Sequence, residues 1–261
     1  MRDEKFKRMI ANIKFCLRVA LLSLLSFSCF SHPLLINETL CVPDSPPYSG
    51  KNLKSNGPLA ELIVNSLKMS NIELKLISPP WARIMHQAQD AKCMIAGLWP
   101  SPQRRKIFYF STKPVIKQTL GLYIKRNRKL EEIHNGTIAI QRSTYLSKNI
   151  SQKHWKFYDV RSIKQGAQML ALSRVDALYA EVGRMNYLLT KNKDLANEIK
   201  LTKPIIENVY GYLAVSKKHE NAENIIAALD KNIERALSEI KNPEIEYLNL
   251  ANEFTATDNT K

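Results

Sequence analysis

The sequence predicts an α/β protein of two lobes, each a mostly parallel sheet flanked by helices, with two strands joining them. Three observations predict it. From about residue 34 onward, strand and helix signals alternate as β-α-β-α-β, an order that implies a parallel sheet with helical crossovers. A second unit of the same kind begins at about residue 137. Residues 119–125 and 209–216 read as strands that lead out of the first unit and back into it, which leaves a double-stranded hinge.

In the first unit, residues 38–42 make a short strand, followed by the turn-rich PDSPPYSG at 43–50. Gly57 and Pro58 open a helix with proline in its first turn. Leu59, Leu62, Ile63, Ser66 and Leu67 mark one face of that helix. Ile72, Leu74 and Leu76 alternate with Glu73 and Lys75, the period of a half-buried strand. Pro79 and Pro80 break the chain, residues 81–89 restart as a helix, and residues 93–97 form a third strand. A proline-broken turn carrying Ser101 and Arg104 then leads to an aromatic run ending at Ser111.

In the second unit, TIAIQ at 137–141 is a strand after the turn at Asn135 and Gly136, and residues 142–144 lead into a helix near Tyr145. Ser162 caps a helix through Leu172, with Ile163, Ala167, Leu170 and Ala171 on one side. Residues 177–180 form a short strand that ends at Glu181. Helices at 222–240 and 243–251 have only the first unit left to pack on. The lobes are therefore expected at 32–120 together with 212–261, and at 121–211.

The first 31 residues read as a secretory signal. Arg2, Lys5, Lys7, Arg8, Lys14 and Arg18 precede the short apolar run VALLSLLSFSCF at 19–30, with small residues at its end. Cleavage after Ser31 or Ser28 fits, and lipid anchoring at Cys29 is the alternative, although Phe27 sits badly in such a site. The rest of the chain holds no long apolar stretch, so the exported protein is not expected to span a membrane.

Cys16 and Cys29 lie in that leader, which leaves Cys41 and Cys93 either joined in a disulfide or as two buried thiols. Metal binding is not expected, because His32, His86, His134, His154 and His219 are scattered without ligand spacing, and no cofactor motif is present. The formal charge is +15, and residues 32–261 carry 33 Lys and Arg against 22 Asp and Glu. These bases are spread out, and neither their pattern nor an export signal suits nucleic acid.

Arg104 stands just past the end of a core strand, where open α/β sheets collect ligands, and its planar fork matches two carboxylate oxygens. Glu181 holds the equivalent place in the second unit, so opposite charges are expected to meet across a cleft.

In this order and spacing, PPY at 46–48, Gly57, SPQRRKIFYFS at 101–111, NGTIAIQRSTY at 135–145, SRVDALYAE at 173–181 and YGYLAVSK at 210–217 resemble the family 3 periplasmic solute-binding proteins, the polar amino-acid receptors of ABC importers. A branch with a Pro-Trp-x-Arg element, here Pro80, Trp81 and Arg83, is similar too. The resemblance covers nearly all of the chain after the leader. It implies a two-lobed type II periplasmic-binding fold, a periplasmic location, a small amino-acid-like solute, an ABC transporter permease as partner, and a monomer.

It also implies residue roles. Arg104 would hold an α-carboxylate, helped by the Ser101 hydroxyl and by backbone donors near Ser143 and Thr144, where a helix starting after Thr144 would add N–H groups. Glu181 would take an α-ammonium group. Tyr48 and Trp81 would wall the pocket, with Arg83 beside them. Trp99 stands where that family has a small hydroxyl residue, and Ser45, Lys92, Cys93 and Gln103 also depart from its pattern.

The leading function is non-catalytic capture of a small zwitterionic or anionic solute by lobe closure. The alternatives are a periplasmic sensory or envelope module with a degenerate cleft, and a dehydratase-like enzyme on the same fold.

Overall fold

The computed structural model describes residues 35–142 and 144–250. The expected leader, Cys16, Cys29, Ser143 and the polar tail lie outside the described residues.

Along the described chain the strands are β1 Ile36–Cys41, β2 Ile72–Ile77, β3 Met94–Leu98, β4 Phe108–Phe110, β5 Ile116–Lys125, β6 Thr137–Gln141, β7 Lys156–Val160, β8 Ala177–Glu181, β9 Ile199–Leu201 and β10 Glu207–Ser216. The helices are α1 Pro58–Lys68, α2 Trp81–Gln89, α3 Pro102–Ile107, α4 Lys148–Ser151, α5 Ile163–Ala171, α6 Val182–Thr190, α7 Lys193–Glu198 and α8 Ala222–Glu239.

One continuous sheet runs β2-β1-β3-β10-β5-β8-β6-β7, with β4 on β10 and β9 on β5. Its two ends are parallel: β1 pairs β2 and β3, and β6 pairs β7 and β8, all in parallel. The middle is antiparallel and is built by two long strands. β10 pairs β5 through Glu207–Gly211 and then β3 and β4 through Tyr212–Ser216. β5 in turn pairs β10 at Ile116–Leu120 and β8 at Leu120–Tyr123. Each long strand thus begins in one half of the sheet and ends in the other.

Both halves are covered on both faces, and alternation along each strand sorts the side chains. In the first half, Leu40, Val42, Met94, Leu213 and Val215 join the buried faces of α1 and α8, including Leu62, Ile63, Ile225 and Leu229. Their neighbours Cys41, Ile95, Leu98 and Ala214 face the other way, onto Ile84 and Ala88 of α2. In the second half, Leu178 and Ala180 pack with Ala167 and Leu170 of α5, while Ala177 and Tyr179 pack with Leu122, Ile138 and Ile140. All five residues expected on the apolar face of α1 are buried.

Cys41 and Cys93 form a disulfide on this scaffold, with Cα atoms 5.6 Å apart. β1 and β3 are adjacent parallel strands, so the two cysteines sit side by side.

Several elements differ from the sequence expectation. The turn carrying Ser101 and Arg104 is the helix α3, because the Ser101 hydroxyl accepts from the Arg104 N–H at 3.2 Å and Pro102 supplies a preset first position. No helix begins near Tyr145. Thr144 closes a turn by donating its N–H to the Gln141 carbonyl, and α4 starts only at Lys148, capped by the Ser147 hydroxyl. β7 is an edge strand that exposes Lys156, Phe157, Tyr158 and Asp159, so it carries no alternating signal to read. The expected helix at 243–251 is a 3-10 segment, Pro243–Leu248.

Candidate functional site

A cleft of about 540 Å³ opens where the two halves of the sheet meet. The loop after β1 supplies Tyr48, β3 and the residue after it supply Gly97 and Trp99, and α3 supplies Arg104. From the other half come Thr144, Tyr145, Glu181 and Arg184.

Arg104 enters from the third position of α3, where the Ser101 cap orients the first turn. Its Nη1 donates to the Trp99 carbonyl at 2.7 Å, which fixes the guanidinium against the end of β3. Burial lowers its proton affinity below the ordinary arginine range. A negative charge nearby offsets such a cost by favouring the charged form.

Glu181 is the last residue of β8 and the N-cap of α6. Its Oε2 accepts from the Arg184 N–H at 2.8 Å, and its Oε1 accepts from the Gly183 N–H at 2.9 Å and from the Tyr48 hydroxyl at 2.9 Å. Burial still raises its carboxyl above the ordinary value, against the lowering effect of those donors and of the nearby Arg184 charge. Tyr48 is raised in turn, first by burial and then by the Glu181 charge.

The approach of Tyr48 to α6 needs a residue without a side chain at position 183, since a Cβ there would collide with the Tyr48 hydroxyl. On the Tyr48 side, Gly57 has φ of +91°, and a Cβ there would lie 2.6 Å from the Tyr48 carbonyl oxygen.

Trp99 makes a second bridge between the halves. Its Nε1 donates to Gln118 Oε1 at 2.7 Å, and its ring meets Tyr145 edge-on with centroids 6.4 Å apart. Trp81 is half-buried, packs against Ile84 and its neighbours and also lines the cleft, so it serves the core and the wall together.

Of the residues singled out in the sequence, Tyr48, Trp81, Trp99, Arg104, Thr144 and Glu181 line this one cleft. Ser101 is not among the lining residues, because its hydroxyl is turned to the α3 cap. Arg83 is exposed on α2 and also stands outside the lining. The N–H groups expected from a helix after Thr144 do not arise, since that segment is a turn.

Arg142, Arg161 and Arg184 line the cleft although the sequence reading did not single them out as site residues. Arg184 carried one usable signal: it follows the strand-ending Glu181 by three residues, within the first turn of the helix that Glu181 caps.

No family model and no curated protein matches this chain in sequence. Solved structures do match in shape. An amino-acid ABC transporter substrate-binding protein, AbpA from Streptococcus pneumoniae, bound to L-arginine, has a TM-score of 0.64 at 17% identity, covering 85% of this chain and 95% of that one. Holo ArgBP from T. maritima has a TM-score of 0.62 at 17% identity, covering 84% and 95%. The ligand-binding core of GluR0 from Nostoc punctiforme, in complex with L-glutamate, has a TM-score of 0.61 at 16% identity, covering 80% and 100%. With the crossing strands β5 and β10 and a cleft between the sheet halves, the chain has the two-lobed fold of the periplasmic amino-acid-binding proteins.

Proposed function

We propose that this protein is a periplasmic solute-binding protein that captures a small amino-acid-like zwitterion or anion and delivers it to an ABC transporter permease. The observation that carries the reading is that Arg104 and Glu181, from different halves of the sheet, line one cleft. Arg104 takes the carboxylate, Glu181 uses its remaining acceptor capacity for an ammonium group, and Tyr48, Trp81 and Trp99 form the walls. Residues 32–120 with 212–261 make one lobe and 121–211 the other, and they close by bending where β5 and β10 cross. Residues 1–31 act as the export signal, and the protein works as a monomer.

The role is non-catalytic. On this reading Glu181 works as a helix cap and charge partner, its carboxylate engaged by three donors. Turnover of a prephenate-like acid would overturn that point.

Native mass spectrometry of protein purified without refolding should carry a small co-purified solute. In calorimetry with that solute, Arg104→Ala should weaken binding by at least about thirtyfold, as expected when a buried charged partner is truncated. Unchanged affinity would remove Arg104 from the site. A sensory or envelope module with a degenerate cleft is the second reading, favoured by the direct Tyr48–Glu181 hydrogen bond and by the Trp99–Tyr145 contact. Failure of every solute to bind would favour it.

A further inference from the structure

The cleft carries more positive charge than a receptor for a simple zwitterion needs. Among the described residues, Arg104, Arg142, Arg161 and Arg184 line it, with Asp44 and Glu181 as the acids. Arg142 and Arg161 are exposed at the rim, and Arg142 has Asp159 at 3.9 Å, so those two contribute mainly a screened field. Arg104 and Arg184 are the inner pair, each half-buried in the described surface.

Arg184 is held in an unfavourable place. It sits in the first turn of α6, whose aligned backbone dipoles already present positive charge. Helical side chains lean toward the N-terminus, which sends this one back over the strand ends and into the cleft. Its Nη1 donates to Gln141 Oε1 at 3.2 Å, and it makes no ion pair among the described residues. Burial lowers its proton affinity in spite of Glu181, Tyr48 and Asp44 nearby.

Glu181 supplies one negative charge to the cleft and has little acceptor capacity left for a guest, enough for a single ammonium group. A carboxylate offers about four acceptor sites, and three are used by Tyr48, Gly183 and Arg184 backbone or hydroxyl donors. A cationic guest such as arginine would bring a further positive charge toward two desolvated guanidinium groups. A guest with two acid groups would present a planar acceptor to each guanidinium.

We infer that the cleft selects a small solute with two acidic groups, one held by Arg104 and the other by Arg184. This rests on the solute-binding reading above and narrows it to acidic amino acids and short dicarboxylates.

The test is calorimetry on the purified protein with probes matched except for one acid group: L-glutamate against L-glutamine, L-aspartate against L-asparagine, and succinate against butyrate, with L-arginine as the cationic control. In at least one pair the diacid should bind at least about tenfold tighter than its partner, and tighter than L-arginine. Arg184→Gln should shrink that ratio to within about threefold, mainly by weakening the diacid. Arg184→Lys keeps the charge without the fork, so it should fall between the two and guard against a fold defect in the glutamine variant.

L-Arginine or a partner lacking the second acid group binding as tightly as every diacid would overturn the inference and leave the solute-binding function standing. An unchanged ratio in both Arg184 variants would overturn the part given to Arg184, and with it the inference. No heat from any probe or from the remaining protein amino acids would overturn the proposed function and the inference together.

Discussion

Tyr48 and Glu181, 133 positions apart in sequence, share a hydrogen bond of 2.9 Å that joins the loop after β1 to the start of α6. It spans the cleft between the two halves of the sheet, as the Trp99–Tyr145 contact does elsewhere. Each contact links the two halves of the sheet apart from the pairing of β5 with β10, so on the proposed reading each would bias the lobes toward closure.

Removing the Tyr48 hydroxyl should therefore loosen that bias. Tyr48→Phe is expected to lower stability by about 1–2 kcal/mol in urea titration, the cost of losing a donor to a buried carboxylate. Small-angle scattering should show a larger radius of gyration for the variant. An unchanged radius would mean that the crossing strands alone hold the cleft shut.

Gly183 makes that hydrogen bond possible, because a side chain there would occupy the place of the Tyr48 hydroxyl. Gly183→Ala should disrupt the Tyr48–Glu181 pair about as much as Tyr48→Phe does. The two substitutions should be strongly non-additive in a double-mutant cycle, since they act on one contact. Simple additivity of the two effects would show that Gly183 acts elsewhere.

The Glu181 carboxyl should leave a signature in pH. Burial holds it above the ordinary 4.5, so the folded chain keeps a proton there that the unfolded chain releases. Its contribution is fully present below 4.5 and is lost as pH rises through the folded value. Wild type should thus lose stability relative to Glu181→Gln as pH rises from the ordinary 4.5 through the folded value, measured as the difference in Tm. A difference that moves the opposite way would mean the three donors outweigh burial.

The Cys41–Cys93 bond closes a loop of sequence separation 52. Chain-entropy reasoning gives it a worth of about 4 kcal/mol, by restricting the unfolded chain. The Cys41→Ser, Cys93→Ser double variant should unfold at correspondingly lower urea, and a reductant should shift wild type the same way while leaving the variant alone.

Local chemistry made much of this fold legible. The stripe of Leu59, Leu62, Ile63, Ser66 and Leu67 can be satisfied only by a helix with one buried face, and all five are buried. The alternation at Ile72, Leu74 and Leu76 dictated β2 in the same way. Arg104 and Glu181 were recognisable because each is a charged residue at or just past the end of an apolar strand. α3 escaped notice since its six residues are defined by a cap and a proline rather than by periodicity. β7 escaped because an edge strand with exposed side chains has no apolar period.

By itself, then, the sequence determined those strands and helices that carry an apolar period, the faces they bury, and two charged residues at strand ends. Only tertiary structure decided which distant groups meet: that Tyr48 reaches Glu181, that Trp99 lies against Tyr145, that Cys41 and Cys93 pair, and that Arg184 turns into the cleft while Arg83 stays outside. The reason is physical. Periodicity reports which side of an element avoids water, a property of a few neighbouring residues. Which strand ends face each other over a gap depends on sheet order and on the crossing of β5 and β10, set by pairings between residues far apart in the chain.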